Sequence, residues 1–171
     1  VPLGTCGLNV SQVCLGSMTW GLQNNQQDAN AQINYALAQG INFIDTAEMY
    51  AVPPSEKTYG KTESIIGHWL ATNPSKREKI ILASKITGPG FSYIREGSNI
   101  SGKTVKEAID NSLTRLQTDY IDLYQLHWPN RMSPHFGKHW PNSEGFLEED
   151  TAVETEQMLD ILQGLSDSVN A

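Results

Sequence analysis

Asp45, Tyr50, Lys85 and His127 are the residues of this 171-residue chain whose types and places suit joint proton chemistry. Asp45, Lys85 and His127 each follow a short apolar run of strand character, and Tyr50 lies five residues after Asp45. In a parallel array of strands and crossover helices, the C-terminal strand ends open on one face, so residues far apart in sequence converge there. Tyrosine, with an ordinary pKa near 10, is a poor acid or base at neutral pH unless a cation favours its phenolate. Lys85 is placed to be that cation, Asp45 to hold the ammonium, and His127 to donate a hydrogen bond to a substrate oxygen. Such a set suits a carbonyl that accepts hydride and then needs a proton from a positioned acid. Each residue alone has a plainer reading. Asp45 can cap a turn, Tyr50 can be a packed loop aromatic, Lys85 can be solvated, and His127 beside Trp128 can be structural. Their joint occurrence at successive strand ends favours the catalytic reading.

The elements that must position them alternate strand and helix, the pattern of an α/β fold with a parallel sheet. Val1 to Leu3 and Asn9 to Ser11 flank the turn-rich Gly4-Thr5-Cys6-Gly7 and predict a short hairpin. Val13 to Gly16 reads as a first buried strand, and a helix follows from about Asp28 to Gln39, ended by Gly40. Ile41 to Asp45 is the second strand. The next helix, about Lys61 to Ala71, buries Ile65, Ile66, Trp69 and Leu70. Ile80 to Ala83 is the third strand, with Lys85 just past its end. Val105, Ala108, Ile109, Ser112, Leu113 and Leu116 make an amphipathic third helix, capped by Ser101 or by a Thr104–Glu107 box. Tyr120 to Leu126 is the fourth strand. A polar, aromatic stretch from Trp128 to Asp150 precedes a fourth helix, Glu154 to Val169, with Met158, Ile161, Leu162, Leu165 and Val169 inward.

Composition narrows the function classes. The formal net charge of −7 argues against nucleic acid or an anionic membrane as the main partner. No apolar run approaches the roughly 20 residues that span a bilayer, and no basic and apolar leader is read at the N-terminus, so the cytoplasm is the expected compartment. Cys6 and Cys14 are expected to be free thiols. His135 and His139 share a four-residue spacing, but Pro134, Gly137 and Pro141 argue against the helix a zinc pair would need, and no metal is expected. The first strand turn, Gly16-Ser17-Met18-Thr19-Trp20-Gly21, is not the glycine fingerprint of a doubly wound dinucleotide fold. Four βα units without it fit part of a (β/α)8 barrel better.

Three segments carry a resemblance. Asn42-Phe43-Ile44-Asp45-Thr46-Ala47-Glu48-Met49-Tyr50, Ala83-Ser84-Lys85, and Asp119 to Pro129 around His127 resemble signature segments of the aldo-keto reductases. Leu15 to Gly21 is similar to their first-strand turn, and Arg115 to Tyr120 to the run entering their fourth strand. The likeness extends over the whole chain and leans toward the bacterial branch related to potassium-channel β-subunits.

The resemblance implies a (β/α)8 barrel plugged at its bottom by an N-terminal hairpin, and hydride transfer between NADPH and an aldehyde or ketone. Tyr50 would then be the general acid, Lys85 and Asp45 its tuning pair, and His127 the orienting donor. Gly16, Ser17, Met18, Gln23 and Asp45 would lie beside the nicotinamide end of NADP(H), and Trp20 and Trp128 would be walls of the substrate pocket.

A full barrel takes about 250 residues. Residues 1–171 are therefore expected to be the N-terminal half of one barrel domain, partnered by a C-terminal half and acting on a small-molecule carbonyl. Two rival readings stand beside this one: a non-catalytic NADP(H)-binding subunit that senses redox state, and an inactive half-barrel.

Overall fold

Backbone hydrogen bonds organise four short strands: β1 (Cys14–Gly16), β2 (Phe43–Asp45), β3 (Ile81–Ile86) and β4 (Leu123–Leu126). This computed structural model describes residues 1–130 and 151–169, with side chains from 155 onward in the second stretch. The strands lie side by side in chain order, β1-β2-β3-β4. β1 with β2 and β2 with β3 pair in parallel, and the register sets Gly16 beside Asp45 and Asp45 beside Ala83. Between them run α1 (Gln26–Ala38), α2 (Lys61–Thr72) and α3 (Gly102–Leu116), and α4 (Thr151–Val169) follows. This is the βα alternation expected of the first units of a barrel.

Contacts divide the chain into two units, Val1–Ile86 with Asp110–Gln125, and Thr87–Ile109 with Leu126–Ala171. In the first, Trp20, Ala29, Ile33, Ile44, Ile66, Trp69, Leu70, Ile80, Leu82 and Leu116 form one apolar core. Asn25 caps α1, whose first residue, Gln26, lies two residues before the start that periodicity alone suggests. Its side chain accepts the N–H groups of Gln27 and Asp28, and Asp28 returns a bond to the Asn25 N–H at 2.9 Å. That reciprocal cap satisfies N–H groups that the helix itself cannot. The predicted hairpin is present as an antiparallel bridge between Pro2 and Asn9. Asn42 ties it to the start of β2 by accepting from Ser11 N–H at 2.7 Å and donating to Asn9 O at 3.0 Å.

A buried arginine fastens β3 to the segment leading into β4. Arg77 donates to Thr118 Oγ1, to the Ile80 and Tyr120 carbonyls, and to Asp122 Oδ2 at 2.9 Å. Its guanidinium also stacks 3.6 Å from the Tyr120 ring centroid. The same Asp122 oxygen accepts the Leu82 N–H at 2.9 Å.

In the second unit, Ser101 and Thr104 cap α3 reciprocally, so of the two starts read from sequence it is Ser101 that caps. Asp160 of α4 accepts the Gly102 N–H at 2.7 Å, and Gly102 and Gly164 let the two helices touch where any Cβ would clash.

Several expectations need correction. β1 is not a buried strand: Cys14 and Gly16 are exposed, because β1 is the edge of the sheet and one of its faces is open. β3 runs on to Ile86, so Lys85 lies within it rather than past it. Ile65 is only half-buried. On α4 only Ile161 of the predicted inner face is buried, while Met158, Leu162 and Val169 are exposed. Periodicity shows which residues of a helix share a face; it does not show how much of that face is covered. Cys6 and Cys14 are free thiols. His135, His139 and most of the stretch after Trp128 lie outside the described residues. Among the described residues no helix is long and apolar enough to cross a membrane.

Candidate active site

Parallel pairing of β2 with β3 brings two of the predicted residues into contact. Lys85 Nζ donates to Asp45 Oδ2 at 2.6 Å and to the Thr46 carbonyl at 2.7 Å. Their side chains are 12% and 29% exposed, so this ion pair sits at a boundary where solvent screens it only in part. The loop after β2 folds back so that the Tyr50 ring lies under the same ammonium, 5.1 Å from Nζ to ring centroid. Backbone bonds hold that loop: Thr46 N–H to Ala83 O, Glu48 N–H to Lys85 O, and Gly60 N–H to Glu48 O.

The electrostatics of Tyr50 differ from the expectation. Its phenol is pushed above the ordinary tyrosine value, first by burial and then by the Asp45 charge. Lys85 is committed to Asp45 and Thr46 and faces the ring, so its pull toward phenolate does not prevail. The arrangement therefore favours the protonated tyrosine, the form a proton donor needs.

At the end of β1 the predicted cofactor residues divide. Gly16 is exposed, and nothing lies within 4 Å of the position its Cβ would take. Met18 and Gln23 are exposed as well. Ser17 is fully buried, its hydroxyl donating to the Asp45 carbonyl at 2.7 Å and its N–H to the same oxygen at 3.1 Å. It thus ties β1 to β2. Trp20 is wholly buried in the apolar core, with its indole N–H on Gln32 Oε1 at 2.9 Å. A large apolar ring with one satisfied polar atom is stable in a core, and sequence alone does not separate that from a pocket ring.

His127 and Trp128 belong to the second unit. His127 directly follows β4, with its ring centroid 5.1 Å from that of Trp128. Trp128 is buried, donates its indole N–H to the Pro89 carbonyl at 3.1 Å, and meets Phe91 edge-on at 5.9 Å. Gly88 lies so close to the indole that a Cβ there would strike it.

Sequence reasoning overlooked a buried polar group in the first unit. Glu48 and Glu63 are both fully buried, Arg115 reaches Glu63 at 2.7 Å, and Ser84, the neighbour of Lys85, donates to Glu63 at 2.6 Å. The available signal was Glu63 and Ser84 lying at inward positions of amphipathic elements, where charge is rare unless paired.

A parallel βα array with a lysine, a carboxylate and a tyrosine gathered at its strand ends is the arrangement of a (β/α)8-barrel enzyme face. Residues 12–169 match the sequence model of the aldo/keto reductase family. The chain is 54% identical over 134 residues to protein tas of Escherichia coli, an alignment covering 77% of this chain and 38% of the relative. YrpG, an uncharacterized oxidoreductase of Bacillus subtilis, is 41% identical over 136 residues, covering 77% of this chain and 40% of its own. Among solved structures, the holo form of aldo-keto reductase AKR11C1 from Bacillus halodurans is similar, with a TM-score of 0.58 and 37% identity, covering 72% of this chain and 38% of that one. The chain belongs to the aldo/keto reductase family, and its fold class is the N-terminal part of the (β/α)8 barrel. It spans 38% to 40% of the length of these curated relatives.

Proposed function

We propose that this chain carries the catalytic residues of an NADP(H)-dependent oxidoreductase that reduces aldehydes or ketones to alcohols. The observation that supports it best is the Lys85 ammonium held on Asp45 at 2.6 Å and set over the Tyr50 ring at 5.1 Å. In reduction, Tyr50 gives its phenolic proton to the carbonyl oxygen. Burial and the Asp45 charge keep that proton in place until an acceptor of rising basicity arrives. Lys85 then lies where its charge offsets the phenolate left behind, and Asp45 fixes its direction. His127 enters this reading by the sequence resemblance alone, as the donor that orients the substrate oxygen.

A nicotinamide cofactor, when bound, supplies the hydride. The residues present fit its reactive end: Gly16 has open space where a Cβ would stand, Met18 and Gln23 are exposed, and Asp45 stands beside Gly16 in register, so these residues would hold it. Groups for the 2′-phosphate belong, in this reading, to the C-terminal half of the barrel, which completes the site around a small-molecule carbonyl. A cytoplasmic setting suits such chemistry.

The test is Tyr50→Phe in the full-length protein, with NADPH consumption followed over a panel of aldehydes and ketones. Turnover is expected to vanish while NADPH binding, read by fluorescence titration, stays as in the parent. Parent-level reduction by this variant would sink the mechanism.

A further inference from the structure

Along β3 successive side chains leave opposite faces of the sheet, so Ser84 projects away from the face that carries Lys85. There it is fully buried and donates to Glu63 Oε1 at 2.6 Å. Glu63, at the start of α2, is fully buried too, and its other oxygen accepts the Arg115 Nε–H at 2.7 Å. Arg115 further donates to Ser112 Oγ at 3.3 Å and lies 5.2 Å from the Tyr59 ring centroid. The Tyr59 hydroxyl donates to buried Glu48 at 3.3 Å, and the Glu48 backbone N–H donates to the Lys85 carbonyl at 3.1 Å. Contacts that leave Lys85 through its neighbour Ser84 thus return to it through Glu48.

This arrangement is costly for packing alone. Two buried carboxylates and one guanidinium lose hydration that apolar side chains would never have needed. Burial lowers the Arg115 pKa, but the charge of Glu63, then Tyr59, the Glu63 hydrogen bond and Glu48 more than offset it, so the guanidinium remains charged. The backbone also yields space for it: at Gly60 a Cβ would lie 2.6 Å from Arg115 Cδ, and at Gly67 it would strike the Arg115 carbonyl.

We propose that Glu63 and Arg115 are positioning residues for the Lys85–Asp45 pair, acting through Ser84 and Glu48. They fix the end of β3 and the loop after β2 from the far side of the sheet, so that Lys85 Nζ has one direction in which to point. The catalytic part of this inference rests on the reductase reading; the positional part does not.

Ser84→Ala in the full-length protein tests it, because that change removes one hydroxyl and leaves Glu63 paired with Arg115. The positional readout is the rate of Lys85 acetylation by acetic anhydride, measured by peptide mass spectrometry against Lys61 and Lys79 in the same sample. Lys85 should label about fivefold faster, the scale of one lost hydrogen bond, with the other lysines unchanged. The catalytic readout is kcat, which should fall about tenfold while KM stays within twofold, as expected for a small misplacement at the reacting centre. Glu63→Gln, which removes the charge facing Arg115, should change both readouts in the same direction. Unchanged Lys85 labelling in both variants overturns the proposal, and so does an equal rise at all three lysines, which would mark general loosening. A parent protein that reduces no carbonyl would sink the reductase reading, and Lys85 labelling would still decide this one.

Discussion

Replacing Gly67 by alanine adds one methyl group to the surface of α2 that faces Arg115 and Leu116 of α3. Two effects oppose each other. Alanine in a helix interior is favoured over glycine by about 0.8–1 kcal/mol. The new Cβ, however, would strike the Arg115 carbonyl oxygen and lie 2.9 Å from the Leu116 carbonyl carbon. These are backbone atoms that cannot rotate aside, so the helices must part by roughly 1 Å to reach ordinary carbon contacts near 3.5–4.0 Å. Overpacking of this kind costs about 1–3 kcal/mol. Moving the Arg115 backbone also strains its 2.7 Å bond to Glu63, and losing a partner from a buried pair costs roughly 3–5 kcal/mol. With part of that loss added, Gly67→Ala should destabilise by about 2–4 kcal/mol net. Urea unfolding followed by tryptophan fluorescence measures this, since Trp69 sits two residues further along α2. An unchanged stability, or the small gain that propensity alone gives, would refute the close approach of α2 and α3.

Trp20→Ala should cost about 3–5 kcal/mol, as for a large aromatic lost from a core, with little change in substrate preference among the molecules that remain folded. A mild stability loss with altered preference, from melts and a substrate panel, would make Trp20 a pocket wall and refute a purely structural role. The alkaline limb of kcat for carbonyl reduction should lie above the ordinary tyrosine value of about 10, because burial and Asp45 raise the Tyr50 pKa and the acid must be protonated. The same sign holds for stability: the contribution is fully present below the unfolded value and is lost as pH rises through the folded one. A limb well below that value would mean that Lys85 dominates the phenol after all.

Much of the candidate site was legible because its residues stand where the pattern changes. Asp45 ends a strand, Lys85 interrupts an apolar run, and both follow from alternation alone. Their contact needed only parallel pairing, which the alternating helices imply. Tyr50 was legible as a type, but its ionisation was not, since that depends on which partner takes the Lys85 hydrogen bonds. The burial of Trp20 was not legible, because a core tryptophan with a satisfied N–H and a pocket tryptophan have the same sequence signature. The Glu63–Arg115 pair was hidden for a similar reason: 52 residues separate its members, and no local rule joins them. Asn25 as the cap of α1 was within reach, as Asn followed three residues later by an acid is a capping box.

The Arg77–Asp122 clamp lies at the opposite end of β3 from Lys85. A parallel strand that slips by one residue turns every side chain to the wrong face. Such a slip would send Lys85 into the buried layer and bring Ser84 round to Asp45. Asp122 binds the Leu82 N–H while Arg77 holds the Ile80 and Tyr120 carbonyls, so only one alignment of β3 against the chain entering β4 satisfies all three. The clamp therefore works as an index pin: three residues along from Leu82, it decides which way the lysine faces.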